Sequence, residues 1–200
     1  MNATYEQTTR TTGRRQAARV AYDRDTVHAI LDEGLVGHLG VATDDGPRVI
    51  PTTYARLDEA VFVHGSASNH VLRHAAAGPV CFTVTLLDGL VLARSAFHHS
   101  MNYRSVVVYG RPAKVVDPDP KRRALDAIVD RVAPGRSAQA RPPTDAELRA
   151  TFVLELRLQE VSAKVRAGGP IDDDVDLDWP VWAGVIPLQT VAGEPVPDGG

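Results

Sequence analysis

Residues 35–66 read LVGHLGVATDDGPRVIPTTYARLDEAVFVHGS, and this stretch decides the fold. Three apolar runs rich in Val, Ile, Thr and Tyr are separated by two turns, Asp44-Asp45-Gly46-Pro47 and Asp58-Glu59. β-Branched and aromatic side chains favour strands, whereas Asp, Gly and Pro favour tight turns. The stretch therefore predicts three antiparallel strands in a meander.

Further strands are predicted after this meander, with a turn at Asp88-Gly89. Four runs are strongly apolar or β-branched, and we interpret the last as one long strand: 79–87, 90–96, 103–116 and 151–168. Helical spacing of apolar residues predicts four peripheral helices, at 26–34, 66–78, 117–132 and 144–151. Thr144 and Glu147 have the spacing of a capping box. The predicted fold class is mainly β, an antiparallel barrel with peripheral helices rather than a parallel sheet.

The composition favours one domain that binds a small molecule or another copy of itself. The 200 residues are 44% hydrophobic and their formal net charge is -3. Neither nucleic acid nor an anionic membrane surface is an expected partner, because both attract strongly basic proteins. The sequence has no signal-peptide core and no apolar run long enough to span a membrane, so a cytoplasmic location is expected.

The two ends of the chain are predicted to differ from its centre. Residues 1–20 are rich in Thr, Arg and Gln without periodicity, which predicts a mobile N-terminal arm. Residues 189–200 form a tail rich in Gly and Pro. The folded domain is therefore expected to span residues 21–188.

The most polar cluster in the chain is Ser95–Val106, SAFHHSMNYRSV, which lies between two predicted strands. Groups at strand ends are held rigidly, which suits a binding site. Because neighbouring residues of an extended segment point to opposite sides, at most one of His98 and His99 is expected to face a cleft. The acidic run 172–174 is interpreted as a solvated loop. No Cys pair or H-E-x-x-H spacing occurs, so no metal site is predicted.

Four motifs in chain order resemble those of a known family: RVIPTTY (48–54), VFVHGSASNHVLRH (61–74), FHHSMNYRSVVVYG (97–110) and PVWAGVIPL (180–188). They resemble the FMN-binding split-barrel proteins related to pyridoxamine 5'-phosphate oxidase. The branch that includes the nitroimidazole-resistance-like flavoproteins is the most similar. The resemblance implies an antiparallel split β-barrel, a homodimer, and FMN in each of two clefts at the dimer interface.

The resemblance also implies a set of cofactor contacts. By position these are Arg48, Val49, Ile50, Pro51, Thr52 and Thr53 on one strand, His64 and Gly65 on the next, Asn69 and His70 at a helix start, Arg104 and Ser105 after the polar bend, and Trp182 near the C-terminus. Threonine hydroxyls and a cation suit a flavin, and a helix N-terminus suits its phosphate. Many relatives carry Arg and Lys where this chain has Asn69 and His70. His98 and His99 are candidate substrate contacts, and no catalytic residue is assigned.

After its late tryptophan the chain departs from the pyridoxamine phosphate oxidases proper. Those enzymes continue with an Arg that contacts the flavin and later with an Arg and His pair that binds the substrate phosphate. This chain reads Val185-Ile186-Pro187-Leu188 and then ends in the Gly/Pro tail. Oxidation of vitamin B6 is therefore not the expected reaction.

The expected function is that of an FMN-dependent oxidoreductase acting on a small organic molecule. The alternative is a flavin- or haem-binding carrier or sensor without turnover, with His98 or His99 as an axial haem ligand. A reduced deazaflavin in the same cleft is a third interpretation. Serine-based hydrolysis is disfavoured because the chain contains no G-x-S-x-G elbow.

Overall fold

The computed structural model describes residues 3–199. Met1, Asn2 and Gly200, which belong to the predicted arm and tail, lie outside the described residues. The chain forms two compact units. Among the described residues, the first contains 3–86 together with Ser105–Val165, and the second contains Leu87–Arg104 and 166–199.

Within residues 3–199, ten strands form one sheet. They are β1 (Val20–Ala21), β2 (Val36–Thr43), β3 (Gly46–Leu57), β4 (Ala60–Ser66), β5 (Val80–Leu92), β6 (Ser100–Gly110), β7 (Ala113–Lys114), β8 (Thr151–Arg157), β9 (Glu160–Arg166) and β10 (Gly184–Pro187). Their order is β1-β9-β6-β5-β2-β3-β4-β8-β7, and β10 pairs with β5. The β2–β3, β3–β4, β2–β5, β4–β8 and β5–β10 pairs are antiparallel.

The described part of the chain also forms five α-helices: α1 (Arg24–Glu33), α2 (His70–Ala77), α3 (Pro118–Val132), α4 (Arg136–Gln139) and α5 (Asp145–Ala150). The predicted capping box of α5 is confirmed, since Thr144 and Glu147 satisfy each other's backbone N–H groups. Asp23 caps α1 and Asn69 caps α2. No helix within residues 3–199 combines the length and the apolar character needed to cross a membrane.

The predicted meander is confirmed by β2, β3 and β4. At the first turn Thr43 lies opposite Gly46, whose φ of 111° lies in the left-handed region that favours glycine. The predicted turn at Asp88-Gly89 is wrong, because β5 continues through both residues. A Cβ on Gly89 would lie 3.0 Å from Val185 Cγ1, so this glycine admits β10 instead of making a turn.

The prediction of one long strand over 151–168 is also wrong. The segment folds into two strands, and β8 and β9 are separated by Leu158 and Gln159. These two residues are not typical turn formers, which explains why the sequence pattern missed the break. The Leu158 N–H donates to the Glu59 carbonyl at 2.8 Å, and this contact from another turn fixes the position of the break.

A large hydrophobic core lies in the first unit, beside a smaller cluster of Val115, Ala124 and Val153. Its largest fully buried side chains are Tyr54, Phe82, Ile30, Leu31, Leu39, Leu72 and Leu154. Tyr5, from the predicted mobile arm, belongs to this core and its hydroxyl donates to Glu59 at 2.8 Å. Arg10 pairs with Glu160. The arm therefore makes specific contacts in the structure, and its mobility stays a prediction.

Candidate functional site

The sheet of the first unit opens between β3 and β4. β3 pairs with β2 along the whole of Gly46–Thr53, but it pairs with β4 only along Tyr54–Leu57. Beyond Val63, β4 stays paired with β8, so that His64 lies opposite Val153. Within the described chain, the edge of residues 46–53 that faces away from β2 therefore has no partner strand.

The predicted cofactor strand, Arg48–Thr53, lies entirely on this open edge. Val49 and Pro51 are exposed, and Thr52 and Thr53 are half-buried. Proline lacks a backbone N–H and is tolerated in a sheet where no partner strand needs one. The remaining N–H and C=O groups on this edge are available to a ligand.

His64 lies on β4 where the two strands part. Its Nδ1 atom is buried and has no hydrogen-bond partner among the described residues. Burial lowers the pKa of His64, which keeps the ring neutral at physiological pH. A buried polar atom without a partner costs free energy, and a bound ligand is one way to satisfy it.

Gly65 follows and allows helix α2 to approach β4. A Cβ at Gly65 would lie 2.7 Å from Leu72 Cδ1 and 3.4 Å from Asn69 Nδ2. The structure thus brings Gly65 and Asn69 close together. Asn69 Oδ1 accepts the Leu72 N–H at 3.2 Å and caps α2, while its Nδ2 group is left to donate elsewhere.

Arg48 and His70 line one cavity of about 300 Å³ beside the first turn of α2, together with Thr43, Asp44, Asp45, Val71 and His74. Arg48 Nη2 lies 3.4 Å from Asp45 Oδ2. The His70 carbonyl and then Asp44 raise the pKa of His74. The cavity is therefore lined by one arginine and two histidines, and Asp44 and Asp45 form an acidic rim.

Ser105 is the remaining predicted contact in the first unit. It lies on β6, which β5 and β2 separate from β3 in the strand order. Its hydroxyl donates weakly to the Lys164 carbonyl, at 3.5 Å, and the side chain is half-buried.

Arg104 and Trp182 belong to the second unit. The Arg104 guanidinium donates twice to Asp88, at 2.9 Å and 2.7 Å, in a bidentate pair. The positive charge of Arg104 is therefore paired with the Asp88 carboxylate within the second unit. The Trp182 side chain is 62% exposed and lies against Gly184, where a Cβ would be 2.7 Å from its ring. Its exposed face is open to a ligand or a partner.

His98 and His99 are held differently in the polar bend. A short 3-10 helix covers Ala96–His98. His98 Nδ1 lies 3.0 Å from Ser95 Oγ, and His99 Nδ1 lies 3.0 Å from the Ser95 carbonyl. A carbonyl only accepts hydrogen bonds, so His99 Nδ1 carries the proton and His99 Nε2 presents a lone pair.

The solvated-loop interpretation of 172–174 does not hold for Asp172, whose side chain is 2% exposed. Its carboxylate accepts the backbone N–H of Arg94 at 2.8 Å and the Arg94 guanidinium at 3.0 Å. Burial alone would raise the pKa of Asp172, but these hydrogen bonds outweigh it and lower the pKa. Sequence reasoning missed this contact because 78 positions separate the two residues.

The sequence model of the family described as pyridoxamine 5'-phosphate oxidase matches residues 23–165. No curated protein sequence matches the chain. A flavocytochrome from Azotobacter vinelandii is 39% identical, with a TM-score of 0.92 over 96% of this chain and 90% of that chain.

Two further solved structures are similar. A protein from Mycobacterium smegmatis that binds FAD and haem is 36% identical, with a TM-score of 0.86 over 90% of this chain and 89% of that chain. A candidate 5-nitroimidazole antibiotic resistance protein from Bacteroides thetaiotaomicron is 21% identical, with a TM-score of 0.62 over 73% of this chain and 86% of that chain. These likenesses confirm the predicted antiparallel split β-barrel.

Proposed function

Because the chain belongs to the pyridoxamine 5'-phosphate oxidase family, we propose that it is a flavin-binding redox protein that also binds haem. One observation carries this proposal. Over nearly its whole length the chain is 39% identical to a flavocytochrome and 36% identical to a protein that binds FAD and haem. The FMN expected from the sequence shares its ring system and first phosphate with FAD. The proposed contacts therefore suit either flavin.

We assign the flavin ring to the open edge of β3, where Thr52 and Thr53 offer hydroxyls and the backbone offers unpaired groups. His64 and Gly65 flank this edge on β4, and the unpartnered His64 Nδ1 fits a polar group of the ligand. Arg48, His70 and the first turn of α2 suit the phosphate, because they supply a cation and free N–H groups. Asn69 supplies both the helix cap and an amide donor.

The other predicted residues receive more specific roles. Ser105 is proposed to contact the flavin directly. Arg104 is proposed as a positioning residue, since it pairs with Asp88. Trp182 is proposed to cover the flavin held by the partner chain of a homodimer, which agrees with its exposed ring.

A bound flavin exchanges hydride or single electrons, and haem iron exchanges single electrons. The chain itself binds, orients and shields these groups, and the substrate is proposed to be a small organic molecule. His99 would suit haem binding, because its Nδ1–H donates to the Ser95 carbonyl and Nε2 of the neutral ring would be free to bind iron. His98 and His99 also stay the proposed contacts to substrate.

The proposed flavin site is tested by measuring how much flavin each site variant retains. Arg48→Ala and Ser105→Ala should purify with at most about a tenth of the wild-type flavin, since each removes a direct contact. Arg111→Ala, an exposed arginine outside the site, is the matched control and should keep full occupancy. Circular dichroism checks the fold of each variant. Full flavin occupancy in both site variants would overturn the assignment.

Turnover is tested separately. Reduced nicotinamide added without oxygen should bleach the flavin absorption, and a small organic acceptor should restore it. Flavin that is neither reduced nor reoxidised by any such pair would instead favour the carrier or sensor function.

A further inference from the structure

We infer that the second unit carries a binding site for a divalent transition-metal ion, formed by His98, Asp173 and Asp176. One possible ligand atom from each of these residues lies within 4.8 Å of those from the other two. The three residues come from two segments far apart in the sequence, and no sequence motif connects them. The inference does not depend on flavin or haem being bound.

His98 is oriented as a metal-binding histidine is. Its Nδ1 atom faces Ser95 Oγ at 3.0 Å, while its Nε2 atom faces Asp173 Oδ2 at 3.9 Å. When Nδ1–H donates to the serine hydroxyl, Nε2 presents its lone pair toward the carboxylates. Histidines that bind metals usually have their second nitrogen held by such a partner, which fixes the ring.

The two carboxylates are placed on one side by a single 3-10 turn. Asp173 immediately precedes the turn Asp174–Asp176, and the Asp176 N–H donates to the Asp173 carbonyl at 2.9 Å. Residues three apart in a 3-10 helix lie one above the other, which aligns these side chains. Asp172, buried against Arg94, anchors the start of the turn next to the bend that carries His98.

The charge around the turn favours a cation. Residues 171–178 contain five aspartates and no Lys, Arg or His. The nearby Arg94 is occupied by Asp172. Among the described residues, the only basic side chain recorded beside the Asp173 carboxylate is His98, and no basic side chain is recorded beside Asp176. The carboxylates of Asp173 and Asp176 have little positive charge near them, so they repel each other. A divalent ion bound between them would remove this repulsion.

The donor set indicates the class of metal. Imidazole nitrogen with carboxylate oxygen suits Mn²⁺, Fe²⁺ and Zn²⁺, whereas Mg²⁺ and Ca²⁺ prefer oxygen ligands alone. Three protein ligands leave further positions for water. A simple ion pair between His98 and Asp173 is the competing explanation, but it gives Asp176 no role.

The test uses the full chain without a polyhistidine tag, dialysed against a chelator. Mn²⁺ binding is followed by the loss of the electron paramagnetic resonance signal of the free ion, and Zn²⁺ is added as a competitor. We expect about one Mn²⁺ per chain, displaced by Zn²⁺ and not by equal Mg²⁺. His98→Gln, Asp173→Asn and Asp176→Asn should each weaken binding at least about tenfold.

Asp174→Asn and Asp178→Asn are the matched controls, because they remove the same charge from the same segment outside the cluster. They should change the Mn²⁺ affinity by no more than about twofold. Circular dichroism identifies the variants that remain folded. If His98→Gln unfolds, the aspartate variants alone test the metal site. Absence of Mn²⁺ and Zn²⁺ binding at about 1 mM, or equal weakening by all four aspartate variants, would overturn the site.

Discussion

His64 shows how a single residue links the fold to the proposed site. It lies where β3 and β4 part, its Nδ1 atom is buried without a partner, and burial lowers its pKa. A histidine in a hydrophobic core would instead be expected to satisfy both nitrogens. The unpartnered Nδ1 atom of His64 lowers the stability of the fold, which is consistent with a ligand-binding role for this residue.

The lowered pKa of His64 implies that the stability of the protein depends on pH. Because the folded-state pKa of His64 lies below its value of about 6.5 in the unfolded chain, the unfolded state takes up the proton first as the pH falls. Acidification from about pH 7 to pH 5 therefore lowers the free energy of unfolding, and His64→Gln should reduce that loss. Urea unfolding at the two pH values measures it.

His74 provides a control of opposite sign. Its folded-state pKa is raised, so its contribution is present at low pH and is lost as the pH rises. His74→Gln should make the loss of stability on acidification steeper. An unchanged pH dependence in His64→Gln would contradict the assigned environment of that ring.

Asn69→Asp separates the cap of α2 from its proposed contact with phosphate. Aspartate caps a helix as well as asparagine does, so thermal stability should be unchanged or higher. The new negative charge should repel the phosphate and weaken flavin binding by about tenfold or more. Fluorescence titration of the flavin-free protein measures the affinity. Asp23→Asn, at the cap of α1, is the control, and equal affinities in all three proteins would place the phosphate elsewhere.

At the scale of elements, the approach of α2 to β4 depends on Gly65. Gly65→Ala places a methyl group 2.7 Å from Leu72 Cδ1 and should lower the free energy of unfolding by about 1–3 kcal/mol. Gly78→Ala, at the other end of α2, has no contact closer than 3.8 Å and should change it by less than about 0.5 kcal/mol. Chemical denaturation compares the two, and equal losses would contradict this packing.

The elements that the sequence predicted best are those with strong local signals. β2, β3 and β4 follow from their Asp and Gly turns, and the cap of α5 follows from Thr144 and Glu147. The break between β8 and β9 was missed because a contact from Glu59 determines it, not the turn residues themselves. The open edge of β3 could not be predicted from the sequence either, because it depends on the point at which β4 separates from β3.

The candidate site divides in the same way. The family resemblance led to Arg48, His70, Gly65 and Asn69, and the structure brings these together in pairs. The contacts of Asp172 with Arg94 and of His98 with Asp173 could not be predicted, because each joins residues more than 70 positions apart. Such contacts carry no local pattern.

At the scale of the whole molecule, exposed apolar side chains in the second unit favour the proposed homodimer. Phe97 and Val175 are each 89% exposed, Trp179 is 66% exposed and Trp182 is 62% exposed. Large apolar side chains that are exposed in one chain are often covered by a partner or a ligand.

The dimer should be visible by light scattering, as a mass near twice the 21.5 kDa of the chain. Replacing Trp179 and Trp182 together by Asp should shift the protein toward the monomer and reduce its flavin content, because charges would then face an apolar interface. Val191→Asp, at an exposed site in the tail, is the control and should stay dimeric. A wild-type monomer with full flavin occupancy would contradict the proposed two-chain site.

The measurement that tests the central claim most directly is the absorption spectrum of the purified full chain, combined with mass analysis of the cofactors released by denaturation. We predict the bands of an oxidised flavin together with the Soret band of haem, and the released mass identifies the flavin as FMN or FAD. Preparations supplied with flavin and haem that show neither chromophore would contradict the account.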